Sequence, residues 1–440
     1  MAASPPTPRR RLSTLLAALV SIAAACGPAT PTATVEPSGT TTASLSPTPS
    51  VGPSGSVAPP TPTADPATVY AAIKAQVVEI RGLEPRSDVE PQVLDEQELK
   101  VRVEKSFNED NPPELIAANE QLLKGMGMLG EEDSLRSLYL ELRGSQVAGF
   151  YSPEDEKLYV VSRSGGLGVA ERVTFSHEYT HALQDQHFDL ESFDLAAVGQ
   201  GDRSLASLSL IEGDATLSMS LWLERYLTAA EKLELVRVSL DPDALAILEK
   251  MPPILRDSLA FPYDAGLRLV IQIYGDGGWP AVDEAFSRPP SSTEQVMHPE
   301  KYAANEVPRV VDIPDDVATR MGAGWKVGLE DTLGEFQLAV WLRGALDRVV
   351  PADEAAAGWG GDRVLLLQGP NDAWAIALLT EWDTTADATE FADAAGQALA
   401  TLSGQSGLGH QADTTVVSLL FASDAASAVQ LDTIMGLTGN

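Results

Sequence analysis

The sequence predicts an α+β fold in two folded parts: a mostly helical domain with a small β-sheet over residues 67–312, then a small α+β module over residues 313–440. Three observations lead there. Beyond Ala67, apolar residues recur mainly at three- and four-residue spacing, the period of amphipathic helices. That period breaks where Val147–Tyr151 and Leu158–Val161 flank the turn-forming Ser152-Pro153-Glu154-Asp155, which reads as a β-hairpin. From Arg363 onward, strand and helix patterns follow in ββαβα order, which suits a module of roughly a hundred residues.

The elements follow in order. Val69, Ile73, Val77 and Ile80 mark a first helix, and further helices fit Asp95–Phe107 and Pro113–Lys124. After the hairpin comes the Gly-rich Ser164–Gly168, and then a helix from about Val169. A long helix fits Ser204–Leu227, with Leu208, Ile211, Ala215, Met219 and Trp222 on its apolar face. Helices are expected at Asp241–Lys250 and Tyr263–Tyr274, and the Pro- and Gly-containing Gly277–Pro299 is expected to run over the surface. In the tail, Arg363–Gln368 and Trp374–Thr380 are strands around the turn Gly369–Asp372. Thr384 caps a helix to about Leu402, with Asp387 in the capping-box position. Thr414–Phe421 is another strand, and Asp424 opens a last helix.

The start of the chain reads as an export signal. Arg9, Arg10 and Arg11 precede an apolar core, Leu12–Ala25, too short for a membrane span of about 20 residues. Cys26, the one cysteine of the chain, stands where a lipoprotein signal peptide (residues 1–26) would be cut and the chain lipid-anchored. Ala23-x-Ala25 also suits an ordinary signal peptidase, and Arg9-Arg10 faintly resembles a twin-arginine signal. With one cysteine, disulfides have no structural part. Residues 27–66 are Pro, Thr, Ser, Gly and Ala with almost no bulky apolar side chain, a composition that cannot offset its conformational entropy and predicts a disordered tether. The expected location is the extracytoplasmic face of a cell membrane. A net charge of −33 leaves no basic stripe to release phosphate counterions, so nucleic acid is not an expected partner. No calcium-loop pattern accompanies the acidity.

Chemistry concentrates in His177-Glu178-Tyr179-Thr180-His181, an HExxH string in a chain of only five histidines. Residues i and i+4 share a helix face, so both imidazoles can address one metal ion, while Glu178 lies beside that face within reach of a metal-bound water. A hydrolytic zinc (Zn2+) site needs three protein ligands and one open position. Glu212, in Leu210-Ile211-Glu212-Gly213-Asp214-Ala215-Thr216, is the expected third ligand, with Gly213 letting another backbone approach closely.

HExxH followed by a glutamate on a downstream helix resembles the gluzincin branch of zinc metallopeptidases, thermolysin-like enzymes among them. The strings Gly149-Phe150-Tyr151, His177–Leu190, Glu212–Thr216 and Ser292–Tyr302 resemble poorly characterised exported bacterial proteins of that type, over roughly residues 69–310. The resemblance implies a zincin-like fold, with a strand beside the metal helix that holds an extended peptide by strand addition. It also implies peptide-bond hydrolysis of a peptide or protein substrate, with Glu178 as general base. For the oxyanion the candidates are His298 first, then Tyr302, Tyr263 and His187. One position departs from the pattern: thermolysin-like proteins usually carry an aspartate four residues after the ligand glutamate, and here Thr216 stands there. Support for the ligand histidines is therefore expected from Asp214 or Asp185. A catalytically silent surface lipoprotein that binds a partner, and a zinc hydrolase acting on another amide, are the alternatives.

Overall fold

The computed structural model describes residues 16–19, 65–161, 167–240, 242–346, 349–411 and 413–438. The expected cleavage site with Cys26, tether residues 27–64 and most of Ser164–Gly168 lie outside the described residues. The fold is α+β and mostly helical, with two small sheets.

The first sheet has the order β1 (Leu16–Leu19), β3 (Val147–Ser152), β4 (Lys157–Val161), β2 (Pro91–Leu94). The predicted hairpin is β3–β4, paired Gly149 to Val160 and Tyr151 to Leu158. β2 runs parallel to β4. The other edge of β3, expected to be open, is paired antiparallel with Leu16–Leu19, part of the predicted signal core.

Helices α1 (Pro66–Arg81), α2 (Glu96–Asp110), α3 (Pro113–Gly125) and α4 (Leu135–Gln146) precede and flank this sheet. Asp95 caps α2 in a capping box with Glu98. Then come α5 (Val169–Phe188), α6 (Gly201–Tyr226), α7 (Ala229–Ser239), α8 (Pro242–Lys250) and α9 (Pro253–Ser287), followed by the short α10 (Thr293–Met297), α11 (Pro299–Ala304) and α12 (Val317–Met321). Every residue of α5 from Val173 to Gln184 is buried, so the metal-motif helix is interior on all sides. Helices α6 and α9 make the tightest crossing. A Cβ on Gly213 would overlap the carbonyl of Gly266, and one on Gly266 the carbonyl of Ser209. Gly213 is therefore the close-approach residue expected of it, and α9 is what approaches.

Gly277–Pro299 is not the surface stretch expected. It is the second half of α9 plus α10, and it buries Val282, Ala285, Phe286 and Ser292 to Val296. Gly278, at φ 65°, kinks α9. Pro280 then stands in the first turn of the new helical segment, where its missing N–H costs nothing.

The C-terminal part holds β5 (Lys326–Asp331), α13 (Gly334–Leu346), α14 (Val349–Ala356), β6 (Trp359–Gln368), β7 (Trp374–Trp382), α15 (Thr385–Leu399), β8 (Gln405–His410), β9 (Val416–Ala422) and α16 (Ala425–Met435). Its antiparallel sheet has the order β5-β6-β7-β9-β8, so β5 and β8 add an edge strand on each side of the three predicted ones. Both faces are covered, which is why β6 reads as a continuous apolar run. Val364 and Leu366 pack under α13 and α15, and Leu365 and Leu367 under α12 and α16. Trp359 and Trp382 are core residues. Ala118 and Leu122 of α3, and Met126 just after it, belong to the same core, so this module is built partly from the first domain's sequence. Among the described residues, no helix is long and apolar enough to cross a membrane.

Candidate metal centre

Helix α5 projects His177 and His181 from adjacent turns toward α6, and α6 answers with Glu212. His177 Nε2 lies 3.1 Å from Glu212 Oε2, His181 Nε2 lies 3.3 Å from the same oxygen, and the two Nε2 atoms are 3.0 Å apart. Tetrahedral zinc ligands at their usual bond lengths stand about 3.3 Å from one another. The three atoms thus form one face of a zinc-sized tetrahedron, and their chemistry is that of a two-histidine, one-carboxylate set. The residues fit the ion.

The three groups are also coupled electrostatically. Burial alone would raise Glu212, but the charge on His181 and the hydrogen bonds from both imidazoles outweigh it and hold the carboxyl down to about 2. Burial would lower His181, yet Glu212 pushes it up to about 9. Burial holds His177 below its ordinary range. Three lone-pair atoms converge here, and they need a shared cation or proton between them.

Glu178 is fully buried beside the trio, and its Oε2 accepts the backbone N–H of Tyr151 at 2.8 Å. The β3 backbone therefore fixes one oxygen of the expected general base. Support for His181 comes through Gln184. His181 Nδ1 is 2.8 Å from Gln184 Oε1, while Gln184 Nε2 donates to the Ile211 carbonyl at 3.0 Å and to Asp214 Oδ2 at 2.8 Å. Asp214 thus belongs to the site at one remove. Asp185 does not support a ligand histidine: its carboxylate accepts the Tyr151 hydroxyl and the Leu190 N–H, tying β3 to the end of α5. His177 Nδ1 and Thr216 Oγ1 are both buried without a hydrogen-bond partner, as the missing aspartate at position 216 would suggest.

The four oxyanion candidates part company. Tyr263, on α9, faces the site with its ring centroid 6.1 Å from that of His177. His298 and Tyr302 are engaged elsewhere. His298 Nε2 pairs with Glu335 Oε1 at 2.8 Å, and the Tyr302 hydroxyl donates to the Arg288 carbonyl. His187 Nε2 meets the Glu84 carbonyl at the last turn of α5. Sequence reasoning missed Gln184 and Arg81, whose Nε donates to Asp214 Oδ1 at 2.7 Å. Gln184 left a signal, as a polar residue one turn after His181 on a helix with no exposed face. Arg81 left none.

A second acidic group, Glu294, Glu306 and Asp383, is already occupied by a cation: Lys301 Nζ lies 2.5, 2.9 and 2.5 Å from the three carboxylates. Residues 323–435 match a family model described as Domain of unknown function (DUF8575). No curated protein matches the chain, and no solved structure does.

Proposed function

We propose that this chain is a membrane-tethered, extracytoplasmic zinc metallopeptidase of gluzincin type, with a zincin-like fold around His177, His181 and Glu212. One observation carries the reading: two imidazole nitrogens and a carboxylate oxygen converge at 3.0–3.3 Å on a zinc-sized face with a buried glutamate beside them. Zinc held there would lower the pKa of a bound water to about 7 and polarise a scissile carbonyl. Glu178 accepts the water proton and returns it to the leaving amine, its carboxylate oriented by the Tyr151 N–H. Of the four oxyanion candidates Tyr263 is the one whose ring lies beside that of His177, and its hydroxyl is the donor this reading assigns to the developing oxyanion. Cleavage before Cys26 would remove Leu16–Leu19 from β3 and leave that edge open to an extended peptide by strand addition. The substrate is a peptide or protein, and the membrane is met through a lipid on Cys26.

A second reading, a catalytically silent zincin-like protein that binds a partner, is favoured by the burial of the centre: His177, Glu178, His181 and Glu212 are each at most 2 % exposed. One experiment separates the two. Mature wild-type protein is expected to hold about one zinc per chain and to cleave members of a peptide library, with Glu178→Ala keeping the metal and losing the cleavage. Zinc without cleavage in the wild type selects the silent reading. No zinc in the wild type overturns both.

A further inference from the structure

Behind His181 runs a buried chain of polar groups that crosses from α5 to α6 to α1. Gln184 Oε1 meets His181 Nδ1, Gln184 Nε2 meets Asp214 Oδ2, Asp214 Oδ1 accepts Arg81 Nε, and Arg81 Nη2 donates to Asp283 Oδ1 at 2.7 Å. Gln184, Asp214 and Arg81 have no exposed surface, and Trp279 covers the guanidinium at 4.5 Å. Burying such a charge is costly, and replacing buried ion pairs with apolar side chains is often neutral or stabilising. Fold stability alone therefore gives this arrangement little reason to exist.

The orientation of the Gln184 amide gives it one. Both N–H groups of that amide are engaged, by the Ile211 carbonyl and by Asp214, so only its oxygen can face His181. An oxygen there requires a proton on Nδ1, which leaves Nε2, aimed at Glu212 and His177, as the nitrogen that would give its lone pair to a metal. Were the amide reversed, its NH2 would face Nδ1, drive the proton onto Nε2 and block the coordinating atom. Asp214 forbids that reversal, because an amide oxygen turned toward it would meet a carboxylate oxygen, and Arg81 holds Asp214 aimed. Ile211 adjoins Glu212, so the same amide fixes the spacing between the histidine helix and the glutamate helix.

We infer that Gln184 and Arg81 are positioning residues of the metal centre, acting through Asp214 to hold His181 in its metal-binding tautomer. This rests on the zinc reading above. The test measures zinc affinity of the full mature chain by competition with a chromophoric chelator. The variants are Gln184→Leu, the double variant Arg81→Met/Asp214→Asn, which removes both charges together, and the triple combination. Gln184→Leu and the double variant are each expected to bind zinc about 10- to 100-fold more weakly. The triple variant is expected to be no weaker than Gln184→Leu, because Arg81 and Asp214 act through the missing amide.

Losses that multiply in the triple variant, or a folded double variant with wild-type affinity, overturn the inference. If the double variant does not fold, Asp283→Asn takes its place. The Asp283 side chain is 38 % exposed, and its loss loosens Arg81 without stranding a fully buried charge. Its zinc affinity is expected to fall severalfold, and an unchanged affinity overturns the inference. A wild type without zinc affinity refutes the zinc reading instead, so the two failures are distinguishable.

Discussion

Gly213 and Gly266 bring two helix backbones into direct contact, one residue away from Glu212. Neither position has room for a methyl group, since each Cβ would overlap a main-chain carbonyl of the opposing helix. Neither relief is cheap, because α6 and α9 share a continuous core of Leu210, Ile211, Ala265 and Leu269. Gly213→Ala is expected to cost about 1–3 kcal/mol, the usual range for overpacking, and to displace Glu212. The check is a pair of measurements on one preparation. Denaturant unfolding should show the loss of stability, and zinc should be retained less well through dialysis than in wild type.

Asp331 of β5 caps the helix that carries Glu212. Its Oδ1 accepts the N–H of Gly201 at 2.7 Å, and the Thr332 carbonyl accepts the Asp202 N–H. The C-terminal module thus caps a helix of the preceding helical part, and Arg363 adds a bond to the Gly199 carbonyl. Asp331→Ala is expected to cost about 1 kcal/mol, a typical helix cap. The loss should appear as a lowered thermal midpoint of a single transition, because the two parts share this seam.

Much of this was legible in the sequence, for reasons that can be named. The convergence of His177, His181 and Glu212 was legible because two histidines at a helical i, i+4 spacing share one face, and that requirement is written locally. The capping box at Thr384 with Asp387 is equally local, and it forms. β5 and β8 were missed because edge strands carry little apolar signal; Gln405–His410 holds two glycines and no fully buried residue. Gly277–Pro299 was misread because glycine and proline mark a helix restart as well as a loop. Arg81 lies 133 residues from Asp214, and no pattern along a chain encodes a pairing set by helix packing. His298 and Tyr302 sit in a string that resembles a catalytic segment, yet their hydrogen bonds go to Glu335 and to Arg288.

That last difference yields a prediction about where activity and stability separate. Glu178→Gln preserves volume and can still accept the Tyr151 N–H, but it cannot take a proton. Its kcat is expected to fall about 10²- to 10⁴-fold with zinc content unchanged. Tyr263→Phe should lower kcat about tenfold or more at similar KM if, as proposed, its hydroxyl meets the oxyanion and not the ground state. Tyr302→Phe should instead leave kcat in place and lower the thermal midpoint, because its hydroxyl holds only the Arg288 carbonyl. Steady-state kinetics beside thermal melts for the three variants would check all of this at once. A kcat loss in Tyr302→Phe would return that residue to the site.

The seam between the two parts also sets a pH dependence. Asp202 is fully buried, accepts the Thr293 N–H and hydroxyl, and has no cation partner among the described residues. Burial raises it well above the ordinary carboxylate range, and the nearby Asp362, itself pushed up to about 6 by burial, adds to the rise. Asp362 also caps α13 through the N–H groups of Leu333 and Gly334. A carboxyl raised in the folded state contributes stability that is fully present below its unfolded pKa of about 4 and is lost as pH rises through the folded value. Asp202→Asn removes that titration while keeping an oxygen for Thr293. Wild type and variant are therefore expected to melt at similar temperatures near pH 4. As pH rises from about 4 the wild-type midpoint should fall progressively, while the variant stays comparatively flat. Melts across pH 4–8 at fixed ionic strength test it, and parallel curves for the two proteins would show that Asp202 does not titrate in this window.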